Sequence, residues 1–178
     1  MNLGQLPLVV GAFAILATLQ LSMNTSMFNA YFASYEDEAG ITAVAIAQAM
    51  VDEATGKQFD KQTAIQKVFW TSELTSYGSF GPDSAEYVPA NEIDSLGIYR
   101  SQLRFNDIDD YHHYTRVVQT PRLGTFNVRD SIIYVQDGNK NLFSSSQTWY
   151  KKIIVTVNNS LLSKPVIKKS MIVYRRYF

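Results

Sequence analysis

Residues 6–21 read LPLVVGAFAILATLQL, and residues 36–54 read EDEAGITAVAIAQAMVDEA. No charged side chain stands before Glu36. The first run is too apolar all round to be one face of a soluble helix. The hydrocarbon core of a bilayer takes about 20 predominantly apolar residues in a helix, and residues 3–23 supply that length. Backbone polar groups in lipid must bond within the segment, which makes the run helical. Pro7 falls near its start, where a missing N–H costs least. A secretory signal peptide would open on basic residues. Here no Lys or Arg precedes the run, and the helical pattern continues past it.

That continuation decides the fold. Met27, Phe28, Tyr31, Phe32 and Tyr35 recur at helical spacings, and Glu36-Asp37-Glu38 then open a water-facing segment. Residues 41–54 are rich in strong helix formers. Ile41, Val44, Ala45, Gln48 and Val51 or Asp52 fall on one face at a period of about 3.6, the face expected to meet a soluble domain. Gly56 is the expected stop, with Lys57 at the negative end of the helix dipole. The reading is one long helix, or two nearly continuous ones with Gly40 as the weak point. Residues 1–35 form a transmembrane helix, and residues 36–178 form an extracytoplasmic domain.

The chain has 178 residues, 16 basic and 16 acidic, for a formal net charge of zero. A nucleic-acid partner needs a basic excess to meet phosphate, so none is expected. Aromatic residues make up 13 %, in keeping with a β-rich domain. No cysteine is present, so the domain is not stapled by disulfides. No basic residue follows the apolar run until Lys57. Basic residues prefer the cytoplasmic side, so the large domain is expected outside the inner membrane, with the N-terminus cytoplasmic.

After the helix, residues 58–94 connect. Residues 64–69 read as a short helical turn, and residues 70–92 carry turn residues throughout. Phe69, Trp70, Tyr77, Phe80 and Tyr87 either pin this loop to the core or form a recognition surface. Residues 98–105 read as a short strand or extended segment, and residues 106–111 as a polar acidic loop. Strands are expected over 114–120, ended by Pro121, and over 125–135, with a turn at Asp137-Gly138-Asn139. The strongest strand is 147–157, with Trp149, Ile153, Val155 and Val157 on one side and Lys152, Thr156 and Asn158 on the other. A reversal over 158–165 leads to a return strand over 166–177, with Ile167, Met171 and Val173 sharing a face. A helix followed by an antiparallel meander predicts an α+β domain, the helix covering one face of the sheet.

The densest polar cluster is Asn106-Asp107-Ile108-Asp109-Asp110-Tyr111-His112-His113. Its carboxylates leave two readings open. One is a hard cation such as Ca²⁺; the spacing is not that of an EF-hand. The other is a turn whose side chains cap backbone N–H groups and pair with Arg100, Arg104 or Arg116. Adjacent histidines in a strand would point to opposite faces and make a poor metal pair. Asp52 and Glu53 face solvent or pair with cations of the sheet. There is no phosphate-cradling glycine loop, nucleophile elbow or zinc-protease helix. No catalytic or metal residue is assigned, and an enzyme is not expected.

Four places resemble one family. They are AIAQAMVDEATGKQFD at 45–60, GPDSAE at 81–86, FNDIDDYH at 105–112, and the final strand pair ending IVYRR at 172–176. With the long apolar helix, they look like a type IV pilin, and more specifically like the minor-pilin or biogenesis proteins of the mannose-sensitive haemagglutinin pilus. The N-terminus departs from that pattern: Met1 to Gly4 carry no basic side chain, Gln5 follows, and Val9 stands where the family has a glutamate. The resemblance implies a structural subunit or assembly factor of a type IV pilus or a type II secretion-like filament. Its partners would be the inner membrane and other pilin-like subunits. Gly11, Ala12, Phe13, Ala14, Leu16 and Ala17 would form the helix-packing surface, where small residues let helices approach. The competing reading is a single-pass anchored binding domain outside any filament.

Overall fold

The computed structural model describes residues 4–89, 93 and 96–174. Helix α1 runs unbroken over Leu6–Thr55, 50 residues long, with Gly40 inside it. The chain divides into two compact units, residues 1–38 and 39–178.

The first unit is the apolar part of α1. Among the described residues, α1 is the one helix long and apolar enough to cross a membrane, and none of its most apolar stretch is buried. Thr18 and Thr25 donate their hydroxyls to the carbonyls of Ile15 and Leu21, at 2.8 and 2.9 Å. These polar side chains are satisfied within the helix, as a lipid environment requires.

The second unit is an α+β domain. It holds the end of α1, the short helices α2 (Lys61–Ile65) and α3 (Arg100–Arg104), and one four-stranded sheet. The strands β1 (Thr115–Thr120), β2 (Gly124–Tyr134), β3 (Tyr150–Asn159) and β4 (Val166–Val173) form an antiparallel meander in the order β1-β2-β3-β4. Register sets Val128 opposite Val157, Ile132 opposite Ile153, and Ile153 opposite Ser170. Side chains alternate across a strand, so Phe126, Val128, Ile132 and Tyr134 share the inner face with Lys151, Ile153, Val155 and Val157, all buried. Gly124, which opens β2, takes φ +73, a left-handed conformation that a β-carbon would strain.

Four expectations about the elements are corrected. The buried face of α1 is Ala39, Ala43, Ala47, Met50, Val51 and Ala54, whereas Ile41 and Val44 are 74 % and 49 % exposed. These small side chains share one core with Phe126 and Tyr134 of the sheet and with Tyr111 of the acidic turn; larger side chains would overfill that space. Residues 98–105 are not a strand. Tyr99 makes an isolated bridge to Ile93, and α3 follows, closed by Phe105 N–H donating to Ser101 O. The short helix after Gly56 starts at Lys61 rather than Ala64, because Asp60 caps it: its carboxylate accepts from Gln62 N while its own N–H donates to Thr63 Oγ1. The return strand ends at Val173; of its expected span, 175–177 lie outside the described residues.

Candidate functional site

The polar residues of the second unit gather in two buried networks. The first joins the end of α1 to β1. Glu53 Oε1 accepts from Arg116 at 2.7 Å and from the Tyr111 hydroxyl at 2.9 Å, while Gln102 donates to its other oxygen at 3.0 Å. Arg116 also donates to Ser101 Oγ at 2.7 Å, and its guanidinium lies 4.0 Å from the Tyr99 ring centre. Burial works to raise the Glu53 carboxyl, but Arg116 outweighs it and holds the group below its ordinary value. Of the two outcomes expected for this acidic pair, Glu53 takes the cation of the sheet, while Asp52 stays exposed and accepts from Gln48.

The second network lies beneath the acidic turn. Asp107 Oδ1 accepts from the N–H of Asp109 at 2.8 Å and of Asp110 at 3.3 Å. Asp110 Oδ2 accepts from the N–H of Asn106 at 2.9 Å and of Asp107 at 3.2 Å. These carboxylates cap backbone donors, one of the two readings the sequence allowed. The cation of this network is a lysine, and it meets Asp109 and Asp60. Lys151, fully buried on β3, reaches Asp109 Oδ1 at 2.5 Å, Asp60 Oδ2 at 2.9 Å and the Phe59 carbonyl at 2.7 Å. Of the arginines expected there, Arg116 is held by Glu53 and Arg104 donates to the Tyr87 carbonyl. Burial pushes Asp107 up to about 6, Asp109 to about 8 and Asp110 to about 7. Asp60 goes the other way: burial raises it, but Lys151 and several donors bring it below its ordinary value. Asp130, on the inner face of β2, is wholly buried with neither carboxylate oxygen bonded among the described residues, and burial raises it well above the carboxylate range.

The two histidines are not in a strand. His113 sits at φ 62 in the turn before β1, so the rings lie 3.9 Å apart rather than on opposite faces. His112 Nδ1 accepts from Ile132 N at 3.2 Å, and burial brings its imidazole down to about 4. Among the described residues no group of three or more His, Asp or Glu is placed to hold a metal ion.

The 69–87 loop divides in two. Tyr77 and Phe80 pack against the core, meeting His112 edge-on, while Phe69, Trp70 and Tyr87 are 56 %, 72 % and 63 % exposed. Glu73 fixes the exposed pair by accepting from the N–H of Phe69 and Trp70, at 2.9 and 3.2 Å.

Gly11, Ala12, Phe13, Ala14, Leu16 and Ala17 are all exposed along α1 in the first unit. They are separate from the buried networks, which belong to the second. Lys151, Asp60 and Asp130 went unassigned in the sequence. The signal that finds Lys151 is strand parity: it falls on the same side as Ile153, Val155 and Val157. Nothing local marks Asp130 beyond the same alternation.

Fold and polar networks together define a class: an α+β domain whose helix begins as a separate apolar unit and whose core is tied by buried ion pairs. No protein-family model, curated protein or solved structure matches the chain.

Proposed function

We propose that this chain is a non-catalytic, pilin-like subunit or assembly factor of a bacterial type IV pilus or type II secretion-like filament, anchored in the inner membrane with its folded domain outside. The observation that carries the reading is the continuity of α1. One helix of 50 residues is apolar and unburied over its first part and supplies the core of the folded domain with its last. An anchor that only tethered a domain would need no such continuity. The exposed Ile41 and Val44 extend the apolar surface into the second unit, which fits a helix that packs against other helices along its length. Leaving lipid for a bundle exchanges one set of apolar contacts for another, so close packing at Gly11, Ala12, Ala14 and Ala17, with Phe13 and Leu16 between them, sets the gain.

The absence of native cysteine makes the test clean. Leu16→Cys, oxidised in isolated filaments or membranes, is expected to cross-link to a helix of another pilin-like subunit. Monomer alone, in a chain shown to be inserted, would sink the filament reading. It would favour a single-pass anchored binding domain, for which the fixed and exposed Phe69 and Trp70 form the recognition surface.

A further inference from the structure

Lys151 is more than one half of an ion pair. Its amine stands in a closed compartment walled by the rings of Phe59, Phe80 and Tyr134, whose centres lie 4.5, 5.0 and 5.2 Å away. Two carboxyl groups enter that compartment and are held differently. Asp60 is fixed as an acceptor: it takes the N–H of Gln62 at 3.1 Å and the N–H and hydroxyl of Thr75 at 3.0 Å, while the Tyr134 hydroxyl donates to the Thr75 carbonyl at 2.8 Å. Asp109 presents Oδ1 to Nζ at 2.5 Å, while its Oδ2 is buried with no hydrogen-bond partner among the described residues. An amine held against a carboxyl group, a second carboxylate to carry the proton, and a site closed to water are the requirements for amide condensation.

We propose that Lys151 and Asp109 condense into an intramolecular isopeptide bond, with Asp60 as the proton carrier. The ammonium gives one proton to the Asp60 carboxylate. The freed lone pair attacks Cγ of the Asp109 carboxylic acid, and the Nζ–Cγ bond forms. The Cγ–Oδ2 bond breaks, and the hydroxyl leaves as water with a second proton from Nζ. The third stays on the amide nitrogen, and Asp60 keeps the first. Three charged or acidic groups become an amide, a neutral acid and water, which removes the cost of holding ions in the core. The bond would tie the acidic turn to β3 across 42 positions, in a chain without cysteine. It would supply by another chemistry the covalent constraint that a disulfide gives.

The test is the mass of the purified full-length chain under denaturing conditions, followed by a tryptic digest. The expected result is a deficit of one water, no cleavage after Lys151, and a branched peptide joining the Lys151 and Asp109 segments. The branched peptide separates this bond from a succinimide, for example at Asp137-Gly138, which also loses water. Asp109→Asn keeps the shape of the site and changes the leaving group, so its deficit becomes one ammonia. Asp109→Ala restores the full mass and the cleavage, and Asp60→Asn is expected to slow or abolish the bond. Wild-type protein with no deficit and ordinary cleavage at Lys151 overturns the proposal without recourse to any variant. A branch at Asp60, or a deficit that survives Asp109→Ala, overturns it as well.

Discussion

Asp109 and Asp110 make the stability of the domain depend on pH in an unusual direction. Both titrate higher in the folded chain than an ordinary aspartate, at about 8 and about 7, because burial disfavours their charge. The folded state therefore binds more protons than the unfolded state, and stability falls as pH rises. The contribution is complete below the ordinary aspartate value of 3.8 and is lost as pH passes 7 and 8. Glu53, Asp60 and His112 have the opposite sign: each is depressed on folding, and each loses its contribution as pH falls. As pH rises past 6.5, the ordinary histidine value, the opposing effect of His112 fades and that of the aspartates dominates. The midpoint of urea unfolding is thus expected to drop between pH 6.5 and 8. In molecules that carry the isopeptide bond, Asp109 drops out, and Asp110 and the buried Asp130 still act in this direction. A midpoint that climbs over that interval would show that these carboxyls are charged in the fold. The same scale gives a second expectation, at Glu53. Glu53→Ala leaves Arg116, whose side chain is 7 % exposed, without its carboxylate. Breaking a buried pair on one side costs about 3–5 kcal/mol, so unfolding of the variant, read by Trp149 fluorescence, is expected at markedly lower urea. A change of a few tenths of a kcal/mol would mean that water reaches the guanidinium.

At the scale of elements, β3 was legible from alternation, since Ile153, Val155 and Val157 point one way and their neighbours the other, and β2 from its β-favouring residues. The buried face of α1 was not. Hydrophobicity picked Ile41 and Val44, but a core already filled by Phe126, Tyr134 and Tyr111 takes small side chains from the helix, and the alanine row is the buried one. Nor did local pattern show that residues 100–104 turn helical, because what places α3 is Ser101 reaching Arg116 and Glu53, contacts that lie 15 and 48 positions away. The acidic turn was legible as a turn and misread as to its partner, since a lysine on an inner strand face is legible only by parity. One comparison tests the corrected face. Ala47→Leu forces extra methylenes into a closed contact, at about 1–3 kcal/mol. Ile41→Ala removes an exposed side chain and is expected to change the stability of the fold by less than about 0.5 kcal/mol. The reverse ranking in urea titrations of the two variants would restore the Ile41 face as the buried one.

At the scale of the molecule, the question is whether the first unit lives in lipid. The argument for it is that an unburied apolar helix has nowhere else to go. Leu8, Phe13, Ile15, Leu16, Leu19 and Leu21 are each more than half exposed within the chain, and an exposed apolar surface of that extent in water marks an interaction site or an aggregation hazard. A bilayer or a bundle of like helices removes the hazard, and both are used in turn by a subunit that waits in the membrane and then assembles. Leu16→Arg probes both. A charge at the centre of a membrane helix costs about 2.5–3.5 kcal/mol on insertion scales, and in a helix bundle it would be buried without a partner. The variant is expected to be depleted from membranes, while its second unit, to which Leu16 does not belong, keeps its urea midpoint when recovered in detergent. That pairing distinguishes a failed anchor from a failed fold. A reporter fused after Phe178 completes the test, since the proposed orientation requires it to be active only outside the cytoplasm. Wild-type membrane levels of Leu16→Arg would remove the anchor from the proposal. A cytoplasmic reporter would remove export, and with it both the filament reading and the anchored-binder reading.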